Sequence, residues 1–178
     1  MSAYTTTIKG TGIVSSTDFK TVTFTGKTKK GNNVTITLPN AINMSNIDLS
    51  FAEKDDTVAQ LVFSSAYSNE HHMVSTAGDY EENWSITYGA DSSDGNADCI
   101  LLGAGVVSIG GIDVGLTRGG SQFTVEREFR EINADGDRGV VKGRVVIDAS
   151  RATLTVNALT WLKDIDHVFA AIDVATTA

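Results

Sequence analysis

Four stretches of the chain carry residue types that chemistry uses, at spacings close to those it needs. Gly26-Lys27-Thr28 has the ending of a phosphate-binding loop, in which backbone amides cradle a polyphosphate and the lysine neutralises it. The glycine required five positions before Gly26 is Thr21, however, and the flanking pattern is strand to strand where the loop needs strand to helix. Gly103-Ala104-Gly105 opens like a dinucleotide fingerprint, but Ser108 stands where the third glycine belongs, and a strand follows instead of a helix. Asn133, Asp135 and Asp137 alternate like the oxygen ligands of a calcium loop, yet Arg138 occupies the glycine position and no glutamate closes the loop. His71 and His72 are adjacent, so in an extended chain they point to opposite faces and do not share one metal. His167 has no serine or cysteine nucleophile spaced to it, and Glu131, Asp135 and Asp137 form a charged loop without the marks of a pocket. The expectation is therefore a protein that is not an enzyme, without catalytic residues, cofactor or metal.

The elements around these residues read as short strands. Thr5 to Val14 is a strand or arm broken by Gly10 and Gly12. Val22 and Phe24 alternate with threonines up to Gly26, and Val34, Ile36 and Leu38 do so after the turn Thr28-Lys29-Lys30-Gly31, a hairpin with one buried face. Pro39, which has no amide hydrogen for a ladder, is expected to end the second strand. Ile47, Leu49 and Phe51 give a third apolar face and Ala59, Leu61 and Phe63 a fourth. Residues 68 to 82 lack periodicity and read as a loop, and Trp84 to Tyr88 as a short strand. Ile100 to Ile109 and Ile112 to Leu116 form a hairpin about Gly110-Gly111. Thr153 to Leu159 is a further strand, and Asp164 caps a helix over Ile165 to Ile172, where Ile165, Val168, Phe169 and Ile172 share one face.

Composition agrees with a mainly β domain. Seventeen glycines against one proline among 178 residues, with abundant threonine and valine, favour many short strands. No run approaches the ~20 apolar residues of a membrane span and no signal pattern opens the chain, so a soluble protein made in the cytoplasm, with no membrane partner, is expected. Cys99 is the single cysteine and reads as a small apolar side chain on a strand. Twenty-two acidic against fourteen basic residues give a formal charge of −8, which argues against a protein that grips nucleic acid through its phosphates.

The longest organised stretch is GVVSIGGIDVGLTRGG followed by FTVEREFREINADGDRGVVKGRVVIDASRATLTVNAL, ending at Leu159. Phe123, Val125 and Arg127 alternate with Thr124 and Glu126, and the pattern resumes as Val141, Gly143, Val145 and Ile147. Between them lies a polar arm, Arg130 to Lys142, longer than a compact hairpin needs. These residues resemble the major tail tube protein of long-tailed bacteriophages. A second block, Lys20 to Glu70 with Trp84, Ile86 and Tyr88 after it, resembles the other half of that family.

In the family the half that resembles residues 98–178 comes first, and the half that resembles residues 1–88 closes the chain. Here the order is rotated, with Gly89 to Ala97 as linker, so the chain reads as a circular permutant in a single domain, 1–178, whose ends Met1 and Ala178 lie near one another beyond the helix. The resemblance implies a β-sandwich or barrel of the tail tube type with one packed α-helix and a long hairpin arm. It also implies a virion tail subunit that assembles with itself into stacked, hexameric rings, meets other phage tail proteins, and lets DNA pass without specific binding. Sheets of neighbouring subunits would join around the lumen, where like charge keeps a polyanion off the wall. By position in the motif, Arg130, Glu131, Asp135, Asp137, Arg138 and Lys142 are the candidate ring-stacking residues. Two other readings stand beside this one: a bacterial secretion-system tube-like protein, and a β-sandwich binding module that does not assemble. A small hydrolase is set aside for want of an activated nucleophile.

Overall fold

A computed structural model describes residues 5–47, 58–67, 83–89, 101–115, 117–132, 142–159 and 165–177, with 135 and 139 singly. The strands, in chain order, are β1 (Thr5–Gly10), β2 (Lys20–Thr28), β3 (Asn33–Asn43), β4 (Ala59–Ser65), β5 (Ser85–Tyr88), β6 (Leu101–Ile109), β7 (Ile112–Asp113), β8 (Thr117–Glu131), β9 (Val145–Ala158) and β10 (Ile172–Thr177). A single helical turn, α1 (Ile165–Val168), precedes β10, and a 3-10 turn at Ser16–Asp18 precedes β2. The protein is thus mainly β with antiparallel sheets. Among the described residues no helix is long and apolar enough to cross a membrane.

The larger sheet has the order β7-β6-β2-β3-β4-β9-β8, with β5 also paired to β3. β2 and β3 are the hairpin expected from their alternation, and Gly31 takes the positive φ, +92°, that its turn demands. β6 and β7 turn about Gly110 and Gly111, both at positive φ, with Ile109 opposite Ile112. One face of the sheet is the core. Val22, Leu38, Leu61, Phe63, Val107, Ile109, Leu154 and Val156 are buried there, and Ile165, Val168 and Phe169 close over them. Ile172 and Val174 of β10 pack on the same cluster, so the short β1–β10 sheet and α1 form a partial second layer over the larger sheet's apolar face.

Four expectations are corrected here. Pro39 does not end its strand, because β3 runs on to Asn43. On one side β2 is irregular between Lys20 and Val22; on the other, β5 pairs only Val34 to Thr37 and β4 only Ala41 to Asn43, so the missing amide falls where no ladder bond is required. Val145 to Ala158 is one strand, not two. A register shift opposite Glu128 and Phe129 changes the side-chain phase between Ile147 and Ser150, which makes one strand look like two in the sequence. The helix expected over Ile165 to Ile172 is one turn, closed by Phe169 N donating to Ile165 O at 3.0 Å. Ala171 then takes φ +54° and Ile172 begins β10, which β1 captures over six residue pairs. The apolar positions Ile165, Val168 and Phe169 are buried as their spacing suggested, but β-branched Ile172 and Val174 belong to a strand. Finally, Ile47 is exposed and outside any strand, while Leu49 and Phe51 lie outside the described residues. So do the 68–82 loop, Asp164 and all of the 89–97 linker but Gly89.

Met1 and Ala178, expected near one another, lie outside the described residues, but the strands next to them pair. β1 pairs β10 from Thr5 opposite Thr177 to Gly10 opposite Ile172, and Thr11 N extends the ladder to Ala171 O at 2.7 Å.

Candidate assembly ribbon

β8 and β9 form the outermost hairpin of the larger sheet. Near its base the ribbon is anchored in the core: Phe123 lies opposite Leu154 and Val125 opposite Ala152. The Trp84 ring meets that of Phe123 at 5.9 Å between centroids, tilted by 56°, and the Arg127 guanidinium sits 5.3 Å from the Trp84 ring centre. Buried Asn83 donates from Nδ2 to Ser150 O at 3.3 Å, tying the segment before β5 to β9 at the same level.

Beyond Arg127 β8 is uncovered, while Val146 and Ile147 opposite it on β9 are half-buried. Every residue of β8 from Glu126 to Glu131 is exposed, so neither face is packed. Phe129 is opposite Ile147 and Glu131 opposite Val145, and directly opposed residues share a face. Along β8 the side of Phe123 and Val125 is therefore continued by Phe129, which is 63% exposed, and across the ladder by Val145, 43% exposed. Ile132, just past the strand, is 48% exposed, with its amide donating to Arg144 O at 2.8 Å. An apolar surface that is core at the base of the ribbon thus becomes solvent-facing at its end.

The sequence-derived stacking residues fall unevenly on this frame. Arg130 and Glu131 belong to β8, paired with Val146 and Val145, so the strand extends into the stretch expected to be free arm. Arg130 Nε donates to Asp148 Oδ2 at 2.7 Å. That hydrogen bond, and secondarily the carboxylate's charge, raises the Arg130 pKa further above its ordinary value, so the guanidinium stays charged. Asp135 and Lys142 are exposed in turns; Asp137 and Arg138 lie outside the described residues. The charge-based reading did not single out Phe129 and Val145, which are exposed apolar residues of the ribbon. Their alternation with charged neighbours was the available signal.

The two glycine motifs occupy strand positions. Thr28 ends β2, buried, with Oγ1 accepting from Asn32 N at 3.2 Å. Gly105 lies within β6 under the Phe24 ring. His167 Nδ1 is 3.3 Å from Lys20 Nζ, which also donates to Asp166 O at 3.0 Å; His71, His72 and Cys99 lie outside the described residues. Among the described residues no three His, Cys, Asp or Glu side chains converge as a metal site. A depression beside β4, lined by Met44, Ser45, Asn46, Val58, Gln60 and Val62, has no titratable side chain among those residues.

Fold and ribbon together define an antiparallel β protein whose largest sheet ends in a half-packed hairpin. Comparison with protein-family models, curated proteins and solved structures gives no match to this chain.

Proposed function

We propose that this chain is a structural subunit of the phage tail tube type, assembling with itself into stacked rings around a DNA conduit, with its place in the virion tail. The observation that carries the reading is the ribbon, on which Phe129 and Val145 continue a core face into solvent beside Arg130, Glu131 and Lys142. An isolated domain gains nothing from holding such a surface in water, whereas an apolar centre with a charged rim suits a contact between copies. Two further features support it. No hydrogen-bonded pairing closes the larger sheet: β8 ends it on one side, and β6, bonded at Ser108 and Ile109 by β7 and at Val107 O by Val114 N, stands next to its other end, where it also approaches β8. Different edges meeting head to tail make a heterologous contact, the kind that closes rings. The β1–β10 pairing sets Thr5 beside Thr177, in keeping with a rotated segment order in a single domain, 1–178.

In this reading the mechanism is packing: neighbouring sheets join edge to edge, and the ribbon docks one ring on the next. The test is electron microscopy and sedimentation of the purified chain over a range of concentrations. Rings or filaments with a central channel are expected. A chain that stays monomeric at every concentration refutes the reading and favours a binding module.

A further inference from the structure

β1 lies against the domain without entering it. It pairs β10, from Thr5 opposite Thr177 to Gly10 opposite Ile172, and pairs no other described strand. Thr7, Ile8, Lys9 and Gly10 are all exposed, whereas Ile172 and Val174 across the ladder pack on the core. A Cβ built at Gly10 or at Gly12 would meet no atom within 4 Å, so the domain leaves open space beside this backbone. The hydrogen-bond ladder to β10 is what holds the strand.

The connection from β1 to the body is short and bare. After Thr11 N, which donates to Ala171 O at 2.7 Å, the chain turns at Gly12 with φ +73°, a conformation that costs glycine little. It is next fixed at the Ser15 capping box, where Ser15 N donates to Asp18 Oδ2 at 2.7 Å. Between these points Ile13 is 75% and Val14 56% exposed, and Ile13 is the most exposed large apolar residue among those described. A hinge within one chain gains nothing from two adjacent apolar side chains in water.

We propose that β1 is an exchangeable arm, which leaves its own β10 and pairs the β10 of a second copy of this chain in the same register. The occupant of that edge is specified by the segment already seated on it. The ladder, the Ile8–Val174 pair and the opposed charges of Lys9 and Asp173 are the same whether the two strands belong to one chain or to two. Only the hinge changes: in the exchanged form it runs between two copies, where Ile13 and Val14 can be covered. Within one chain a short tether holds β1 at an effective concentration on the order of mM, so exchange requires copies brought equally close. Association through another surface supplies that closeness, and the exchanged arm then fastens the contact. The exchange goes beyond the tail-tube reading and does not depend on it.

The test uses Thr7→Cys and Ala175→Cys, made in separate full-length chains. These residues are directly opposite and exposed, and antiparallel partners stand about 4.5–5.5 Å apart between Cα atoms, a separation that a disulfide spans. The two chains are mixed at concentrations from the micromolar range to ~1 mM, equilibrated and oxidised. Mass spectrometry identifies each bridge and separates it from any formed by native Cys99. The expected result is a bridge between positions 7 and 175 that rises with concentration and stands roughly tenfold above the 7–7 and 175–175 bridges, because only the exchanged ladder aligns that pair. Comparable yields of the three bridges, or no 7–175 bridge at any concentration, overturns the proposal. If a thermal melt shows either variant unfolded, Lys9→Cys and Asp173→Cys, exposed and opposed in the same ladder, take their place under the same criterion. Tubes that form without the bridge overturn the exchange and leave the tail-tube reading standing. The bridge in chains that form no tubes does the reverse.

Discussion

Replacing Phe129 by serine separates the ribbon's role in folding from its role in assembly. A phenylalanine presents roughly 200 Å² of surface, so at 63% exposure about 125 Å² remains to be covered by a neighbouring copy. At about 25 cal/mol per Å² that area contributes up to ~3 kcal/mol to one contact. Each 1.4 kcal/mol is about a factor of ten in an equilibrium constant, so the contact should weaken by up to about 100-fold. The folded monomer has little to lose, because an exposed substitution outside a packed site stays within about 0.5 kcal/mol. The assay is the concentration at which light scattering or sedimentation first detects assembly, with a thermal melt of the dilute protein as control. The expected result is assembly displaced to much higher concentration with the melting temperature nearly unchanged. Assembly at the wild-type concentration would show that Phe129 does not meet a neighbour. A large fall in melting temperature would show that the ribbon face packs within its own chain.

Three other outcomes are expected. Replacing both Arg138 and Lys142 by glutamate should hinder stacking and leave the monomer folded, and normal tubes seen by electron microscopy would remove the arm from the ring contact. Gly105→Ala should destabilise the fold by about 1–3 kcal/mol in chemical denaturation, because a Cβ there would stand 2.6 Å from Phe24 Cε2 and 2.8 Å from Thr25 O; a neutral effect would mean that the Phe24 ring moves aside freely. Leu154→Ala, at a position 1% exposed between Phe63 and Phe123, should cost about 2–5 kcal/mol in the same experiment, and a loss under 1 kcal/mol would contradict its place at the centre of the core.

What sequence alone determined was whatever depends on nearest neighbours and on a period of two. Alternation of Val22 and Phe24 with threonines, and of Val34, Ile36 and Leu38 with theirs, was enough for the β2–β3 hairpin, and the paired glycines 110 and 111 for the next. Helical spacing placed Ile165, Val168 and Phe169 in the core but carried the helix too far, since burial spacing over so short a segment does not show where a turn of helix gives way to a strand. Tertiary structure decided that. Ile172 to Thr177 is a strand because β1, from the far end of the chain, supplies its hydrogen-bond partners. β9 is continuous because its ladder with β8 absorbs a change of phase, and β3 passes Pro39 because its partners on both sides leave a gap there. The site followed the same division. The charges of the ribbon were legible as charges, but exposure of Phe129 and Val145 depends on where the second layer stops, and the registry of Lys9 with Asp173 depends on strands brought together from distant segments. A sequence specifies which side of a strand is apolar; only the packed sheet specifies which apolar side is left in water.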